Sequence, residues 1–250
     1  MGALVILPTY NEVGNLGPLV ETITAQGETF NLLIIDDGSP DGTGFLAEHL
    51  KAQYPGRVDV MHRQGKLGLA TAYLTGFQYA ITMGYDYVFE MDADFSHHPR
   101  YLPDFISAMK MSGADLVLGS RYVDGGGATH WPWYRRLISI GGSQYARAML
   151  GLSIRDLTGG FKCFRREVLE SINLDEIEAT GYGFQIEMTY RAVQHGFKVV
   201  EIPIIFEDRR EGQSKMSAGI FAEALWMVAR LRVSEQLGRK VPVEGQRIRS

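Results

Sequence analysis

Five short apolar runs, at residues 3–7, 32–35, 58–61, 87–91 and 116–118, alternate with segments of helical period through the first half of the chain. No other feature of the sequence limits the fold as strongly. Runs of this length suit strands buried on both faces. Between them Leu16, Leu19, Val20 and Ile23 recur at i, i+3, i+4 and i+7, as do Leu102, Phe105, Ile106 and Met109. That spacing gathers apolar side chains on one face of a helix. Pro99 suits the first turn of the second helix, where its missing N–H costs nothing. Strand–helix alternation with short connections predicts an α/β fold: a mainly parallel sheet flanked by helices. In such sheets ligands bind beyond the carboxyl ends of the strands, so the residues after each run carry the functional argument.

After the first run comes Pro8-Thr9-Tyr10-Asn11-Glu12, and after the second Asp36-Asp37-Gly38-Ser39-Pro40-Asp41-Gly42-Thr43. Asp92-Ala93-Asp94 follows the fourth and Gly119-Ser120-Arg121 the fifth. Four strand ends therefore place polar or charged groups on one rim. Taken alone, Asp92 and Asp94 read as a solvated turn. With Asp36 and Asp37 on the same rim, a hard divalent cation held by carboxylate oxygens becomes the better reading, and Mg²⁺ or Mn²⁺ suits it. Asp41 is placed to cap the helix that follows. Two adjacent carboxylates at a buried strand end suit hydrogen bonds from a nucleoside. Arg121, Arg209 and Lys215 are cations suited to a diphosphate leaving group. The charged segment 207–215, with Gly212 and Ser214, reads either as a solvated turn or as a lid.

The second half is less regular. Gly125-Gly126-Gly127 reads as a mobile loop or hinge, followed by the aromatic and basic segment Trp131-Pro132-Trp133-Tyr134-Arg135-Arg136. Helices are expected at about 136–150 and 183–195, and a strand at 199–202. A last amphipathic helix is expected at 217–233, with Phe221, Ala224, Leu225, Val228 and Leu231 on one face, before a polar tail from 238. The expected organisation is one catalytic domain over 1–237, in halves 1–125 and 126–237. Charge divides along nearly the same line. Residues 1–129 hold seven Lys and Arg against fifteen Asp and Glu, while the remainder holds eighteen against fourteen. The net charge of −4 argues against a nucleic-acid binder. No apolar run is long enough to span a bilayer, and no secretory leader is expected. The single Cys163 excludes a disulfide framework, fits a reducing compartment and reads as a buried structural thiol in a strand. His97-His98 reads as helix capping or exposed surface. Neither G-x-x-x-x-G-K-[ST] nor an early G-x-G-x-x-G is present.

Pro8-Thr9-Tyr10-Asn11-Glu12, the Asp36–Thr43 segment, Leu67-Gly68-Leu69 and Asp92-Ala93-Asp94 together resemble inverting family 2 glycosyltransferases of the Rossmann-like GT-A fold. Four further stretches narrow the likeness: Ser96-His97-His98-Pro99, Gly119-Ser120-Arg121-Tyr122, Asp156-Leu157-Thr158-Gly159-Gly160-Phe161, and Asp208-Arg209 with Ser214-Lys215. In this order they resemble the polyprenol (dolichol) phosphate mannose synthases, over about residues 4–231. The resemblance implies nucleotide contacts from Pro8, Tyr10, Glu12, Ile34 and Asp36. It implies metal and sugar-diphosphate contacts from Asp92, Ala93 and Asp94, with Asp92 and Asp94 as the metal ligands. Phosphate contacts are implied for Arg121, Arg209 and Lys215, and the catalytic roles fall to Asp94 and Arg121. Where some members carry a metal-ligating Gln two residues after the second Asp, this chain has Ser96, a weaker ligand.

The activity implied is inverting transfer of mannose from GDP-mannose to a polyprenyl phosphate. Some members carry carboxyl-terminal transmembrane helices and this sequence shows none, so attachment to the cytoplasmic face of a membrane is expected to be peripheral or through a separate membrane protein. The basic, aromatic second half suits an anionic lipid surface. For the last helix, packing against a core is an equal alternative. Two other functions remain open: a polyprenyl-phosphate glucosyltransferase or other family 2 enzyme, and a non-catalytic nucleotide-sugar-binding subunit.

Overall fold

The computed structural model describes residues 2–129, 131–177, 179, 181–207 and 226–233. The apolar runs become strands β1 (Ala3–Thr9), β2 (Phe30–Asp36), β3 (Val58–His62), β4 (Tyr87–Glu90) and β5 (Leu116–Ser120). Helices α1 (Val13–Thr24), α2 (Thr43–Gln53), α3 (Leu69–Met83) and α4 (Leu102–Ser112) alternate with them. Pro99 opens a short 3₁₀ turn, Pro99–Tyr101, that leads into α4. A two-residue strand β6 (Gly127–Ala128) and α5 (Trp133–Leu150) begin the second half. β7 (Lys162–Arg165), α6 (Arg166–Ser171), α7 (Gly181–Gln194), β8 (Val199–Pro203) and β9 (Ile205–Phe206) follow.

Seven strands form one sheet in the order β3-β2-β1-β4-β7-β5-β8. All neighbouring pairs are parallel except those of β7, which runs antiparallel to both β4 and β5. The mainly parallel sheet expected from the alternation is thus present. Two apolar layers cover it. One packs α1, α2 and α4 through Leu16, Leu19, Val20, Ile23, Leu50 and Phe105. The other packs α3, α5, α6 and α7 through Tyr73, Phe77, Leu150, Val168 and Phe184. The four α1 side chains picked out by their spacing have no exposed surface. Each such burial contributes about 1.5–3 kcal/mol. Cys163 is a free, fully buried thiol in the first of these layers.

One expectation requires correction. Gly127 is not part of a mobile loop, because β6 pairs in parallel with β9. Gly126 sits so close to the main chain that an added Cβ would lie 2.5 Å from the Ser120 carbonyl oxygen. The glycines there serve close approach rather than hinging. The expected last helix is helical at 226–233, the part that is described. Met227 and Val228 are buried against the core while Trp226 and Val233 are exposed. Phe221, Ala224 and Leu225 lie outside the described residues.

Candidate active site

The carboxyl ends of β1, β2, β4 and β5 converge on one cavity of about 380 Å³. Pro8, Tyr10 and Glu12 line it from the end of β1, and Asp92, Ala93 and Asp94 from the end of β4. Arg121 enters after β5, and Thr158, Gly159 and Gly160 precede β7. Seven of the residues expected from sequence therefore meet at one place. Ile34 and Asp36 are not among the lining residues. Ile34 is fully buried in the apolar layer beneath α1. Arg209 and Lys215, with most of segment 207–215, lie outside the described residues.

Asp36 orders the loop that follows it. Its Oδ1 accepts from Ser39 Oγ at 2.6 Å and its Oδ2 from Ser39 N at 3.1 Å. The N-cap of α2 is Gly42 rather than the expected Asp41; Asp41, one residue earlier, accepts from Thr43 N and Oγ1 and, through its other oxygen, from Val13 N. Thr43 Oγ1 in turn accepts from Glu12 N at 2.9 Å. The first two rim loops are thus tied into one unit. Asp37 pairs with Arg63, whose guanidinium also donates to Thr71 Oγ1 and to the Gly68 carbonyl. Lys66 lies 4.6 Å from the centre of the Tyr10 ring at the cavity wall.

At the acidic end, Asp94 is 4% exposed, and its Oδ1 accepts from Ser96 N at 3.0 Å and Ser96 Oγ at 2.5 Å. Ser96 therefore orients the second carboxylate. His97, expected at the surface, is 2% exposed and lines the cavity. Its ring stacks on Phe161 with centroids 4.9 Å apart, which takes it into the interior. Its Nδ1 accepts from Asp92 N at 3.1 Å, so a neutral ring carries its proton on Nε2. Burial lowers its pKa, with Asp92 and Asp94 opposing. His98 takes the capping role instead, accepting from Arg100 N.

At the cationic end, Arg121 donates through Nε and Nη2 to the two oxygens of Asp156, at 2.7 Å each. Nη2 also reaches Thr158 Oγ1 at 2.9 Å. The guanidinium lies 5.2 Å from the Trp131 ring centre, and that ring lies 4.4 Å from Arg135. Sequence reasoning placed Arg121 correctly at the cavity but missed Asp156, its counter-ion, which is fully buried. It also missed Arg135, Lys66 and Gln185 as lining groups. A signal for Arg135 existed in the aromatic and basic run of residues 131–136 that opens α5. The same end of α5 leaves Trp133, Tyr134, Leu137 and Ile138 exposed.

The cavity thus has carboxylates at one end and cations at the other, above a mainly parallel, Rossmann-like sheet. The chain belongs to glycosyltransferase family 2, whose model matches residues 4–172. It is 47% identical over 236 residues to the polyprenol monophosphomannose synthase of Mycolicibacterium smegmatis, covering 94% of this chain and 89% of that one. It is 46% identical over 230 residues to the undecaprenyl-phosphate mannosyltransferase of Micrococcus luteus, covering 92% and 93%. Among solved structures, glucosyl-3-phosphoglycerate synthase from Mycobacterium tuberculosis with phosphoglyceric acid shares the fold, with TM-score 0.69 and 18% identity over 92% of this chain and 79% of that one. The same enzyme with Mn²⁺, UDP and glucosyl-3-phosphoglycerate gives TM-score 0.66 and 18% identity over 98% and 82%. Among the described residues no helix is long and apolar enough to cross a membrane.

Proposed function

We propose that this glycosyltransferase moves mannose from GDP-mannose to a polyprenyl monophosphate with inversion at the anomeric carbon. The observation that carries the reading is one cavity joining Asp92 and Asp94 to Arg121 and Arg135, beside an exposed aromatic helix end. Mannose and a polyprenyl phosphate are supported by the two relatives above, similar over nearly their whole length. We read residues 1–237 as one catalytic unit, with 1–125 taking the nucleotide sugar and 126–237 the acceptor.

The donor set suits a divalent cation, since both groups are carboxylates at a strand end and Ser96 already orients one of them. Asp92 and Asp94 would hold Mg²⁺ or Mn²⁺, which when bound neutralises charge on the departing diphosphate. Pro8, Tyr10 and Glu12 form the wall against which the nucleoside lies. A phosphate monoester, with a second pKa near ~6, carries an anionic oxygen at neutral pH. The transfer therefore needs no side chain to remove a proton. The acceptor oxygen bonds to the anomeric carbon from the face opposite GDP, while the bond to the β-phosphate breaks and its electron pair leaves with GDP. The protein's task is alignment and charge complementarity. We assign Arg135, which lines the cavity against the Trp131 ring, to the acceptor phosphate, and Arg209 and Lys215 to the diphosphate. Trp133, Tyr134, Leu137 and Ile138 would rest in the lipid surface that carries the acceptor, on the cytoplasmic face of a membrane.

The test is transfer of label from GDP-mannose into the organic phase with defined polyprenyl phosphates, with Mg²⁺, Mn²⁺ or a chelator. Transfer that disappears in chelator and in Asp94→Ala is expected. Full activity in chelator refutes the metal, label from UDP-glucose alone selects a glucosyltransferase, and binding without turnover selects a non-catalytic subunit.

A further inference from the structure

Beside the cavity lies a buried polar cluster that the reaction as derived leaves unused. Glu90, the last residue of β4, pairs in register with Lys162, the first of β7. Both are fully buried. Lys162 Nζ donates to the Gln185 carbonyl oxygen at 2.5 Å and to Thr189 Oγ1 at 2.9 Å, both on α7. Gln185 is 3% exposed and lines the cavity; its side-chain amide lies against the Glu90 carboxylate without completing a well-formed hydrogen bond. The backbone of Gly160 lies between this amide and His97: a Cβ there would stand 3.6 Å from Gln185 Nε2 and 3.6 Å from His97 Cε1.

This arrangement is expensive for packing alone. Buried charged groups seldom outperform apolar side chains of similar volume, and Glu90 and Lys162 have no exposed surface. What an apolar pair cannot do is grip a helix carbonyl. Lys162 does so at Gln185, a residue that lines the cavity. Glu90, beside Lys162 in the sheet, stands two residues before Asp92.

We propose that Lys162 is a positioning residue: it holds α7 against the end of β4, so that the Gln185 amide meets the donor's sugar hydroxyls while Asp92 and Asp94 meet its diphosphate. An amide offers two donor hydrogens and an acceptor oxygen, a match for neighbouring hydroxyls. The assignment rests on the nucleotide-sugar reading above.

The test measures GDP-mannose and GDP affinity by titration calorimetry with Mn²⁺ present, alongside melting curves and the label-transfer assay. The proteins are wild type, Gln185→Leu, the charge-balanced pair Glu90→Gln with Lys162→Met, and the triple combination. Wild type is expected to bind GDP-mannose more tightly than GDP. Gln185→Leu and the charge-balanced pair are each expected to lose about tenfold of that preference, the scale of one hydrogen bond. The triple variant should lose no more than either, because the two changes break one interaction. A charge-balanced pair that melts like wild type and keeps the preference overturns the proposal. So do losses that multiply in the triple variant, or a wild type with no preference. A wild type that prefers GDP-mannose yet transfers no label overturns the proposed reaction instead, and leaves the affinities to judge Lys162.

Discussion

Replacing Asp156 by Asn should cost more stability than any other single isosteric change at the rim. Asp156 is fully buried and accepts Arg121 N at 3.0 Å, Nε at 2.7 Å and Nη2 at 2.7 Å. Asn preserves shape but removes the charge, and its NH₂ would face another donor. The Arg121 side chain, 6% exposed, is then left as a buried cation without its counter-ion. Breaking a buried pair in this way costs about 3–5 kcal/mol. For a chain of this size that corresponds to a melting temperature about 6–20 °C lower. The pH dependence has a definite sign. Burial alone would raise the Asp156 pKa, but the Arg121 charge and its hydrogen bonds, with help from Lys162, bring it below the usual 3.8. A carboxyl with a depressed folded pKa contributes fully above its unfolded value and loses that contribution as pH falls through the folded one. The gap between wild type and Asp156→Asn should therefore be full at pH 7 and shrink below about pH 4. Melting followed by circular dichroism at both pH values measures it. A variant within about 2 °C of wild type at pH 7 would refute the reasoning.

Three further outcomes follow from the packing and the cavity. Gly76→Ala would put a Cβ 2.7 Å from Ile6 Cδ1, and urea midpoints should show a loss of about 1–3 kcal/mol; an unchanged midpoint would mean that β1 and α3 are less tightly apposed. Arg135→Ala should raise KM for the polyprenyl phosphate about tenfold while leaving KM for GDP-mannose nearly unchanged; equal effects on both would remove Arg135 from the acceptor side. Trp133→Glu with Leu137→Glu should reduce flotation with anionic vesicles without lowering the melting temperature, since both side chains are exposed, and undiminished flotation would move the lipid contact elsewhere.

The sheet was legible because strands buried on both faces write themselves as unbroken apolar runs, and β1, β2 and β5 are almost wholly interior. The rim carboxylates were legible because they stand directly after those runs. What escaped was whatever depends on long-range pairing. Asp156 and Arg121 are separated by 35 residues. His97 looks like surface from its neighbours, and only the Phe161 ring, far along the chain, explains its burial. Gly125-Gly126-Gly127 has a loop's composition, yet β6 is defined by β9 almost eighty residues later. Gln185 had a faint signal: with Thr189 it puts two polar groups, four residues apart, on a buried helix.

The antiparallel strand has a consequence beyond the fold diagram. Without β7 the sheet would be two separate parallel blocks, one of four strands and one of two. The larger block carries the loops with Pro8, Tyr10, Asp92 and Asp94; the smaller carries Arg121. Among the described residues, their connection within the sheet is the four residues Lys162–Arg165. During synthesis, the acidic half of the cavity can close on itself long before its cationic half has anything to lean on. Four late residues thus make one enzyme of two incomplete sites.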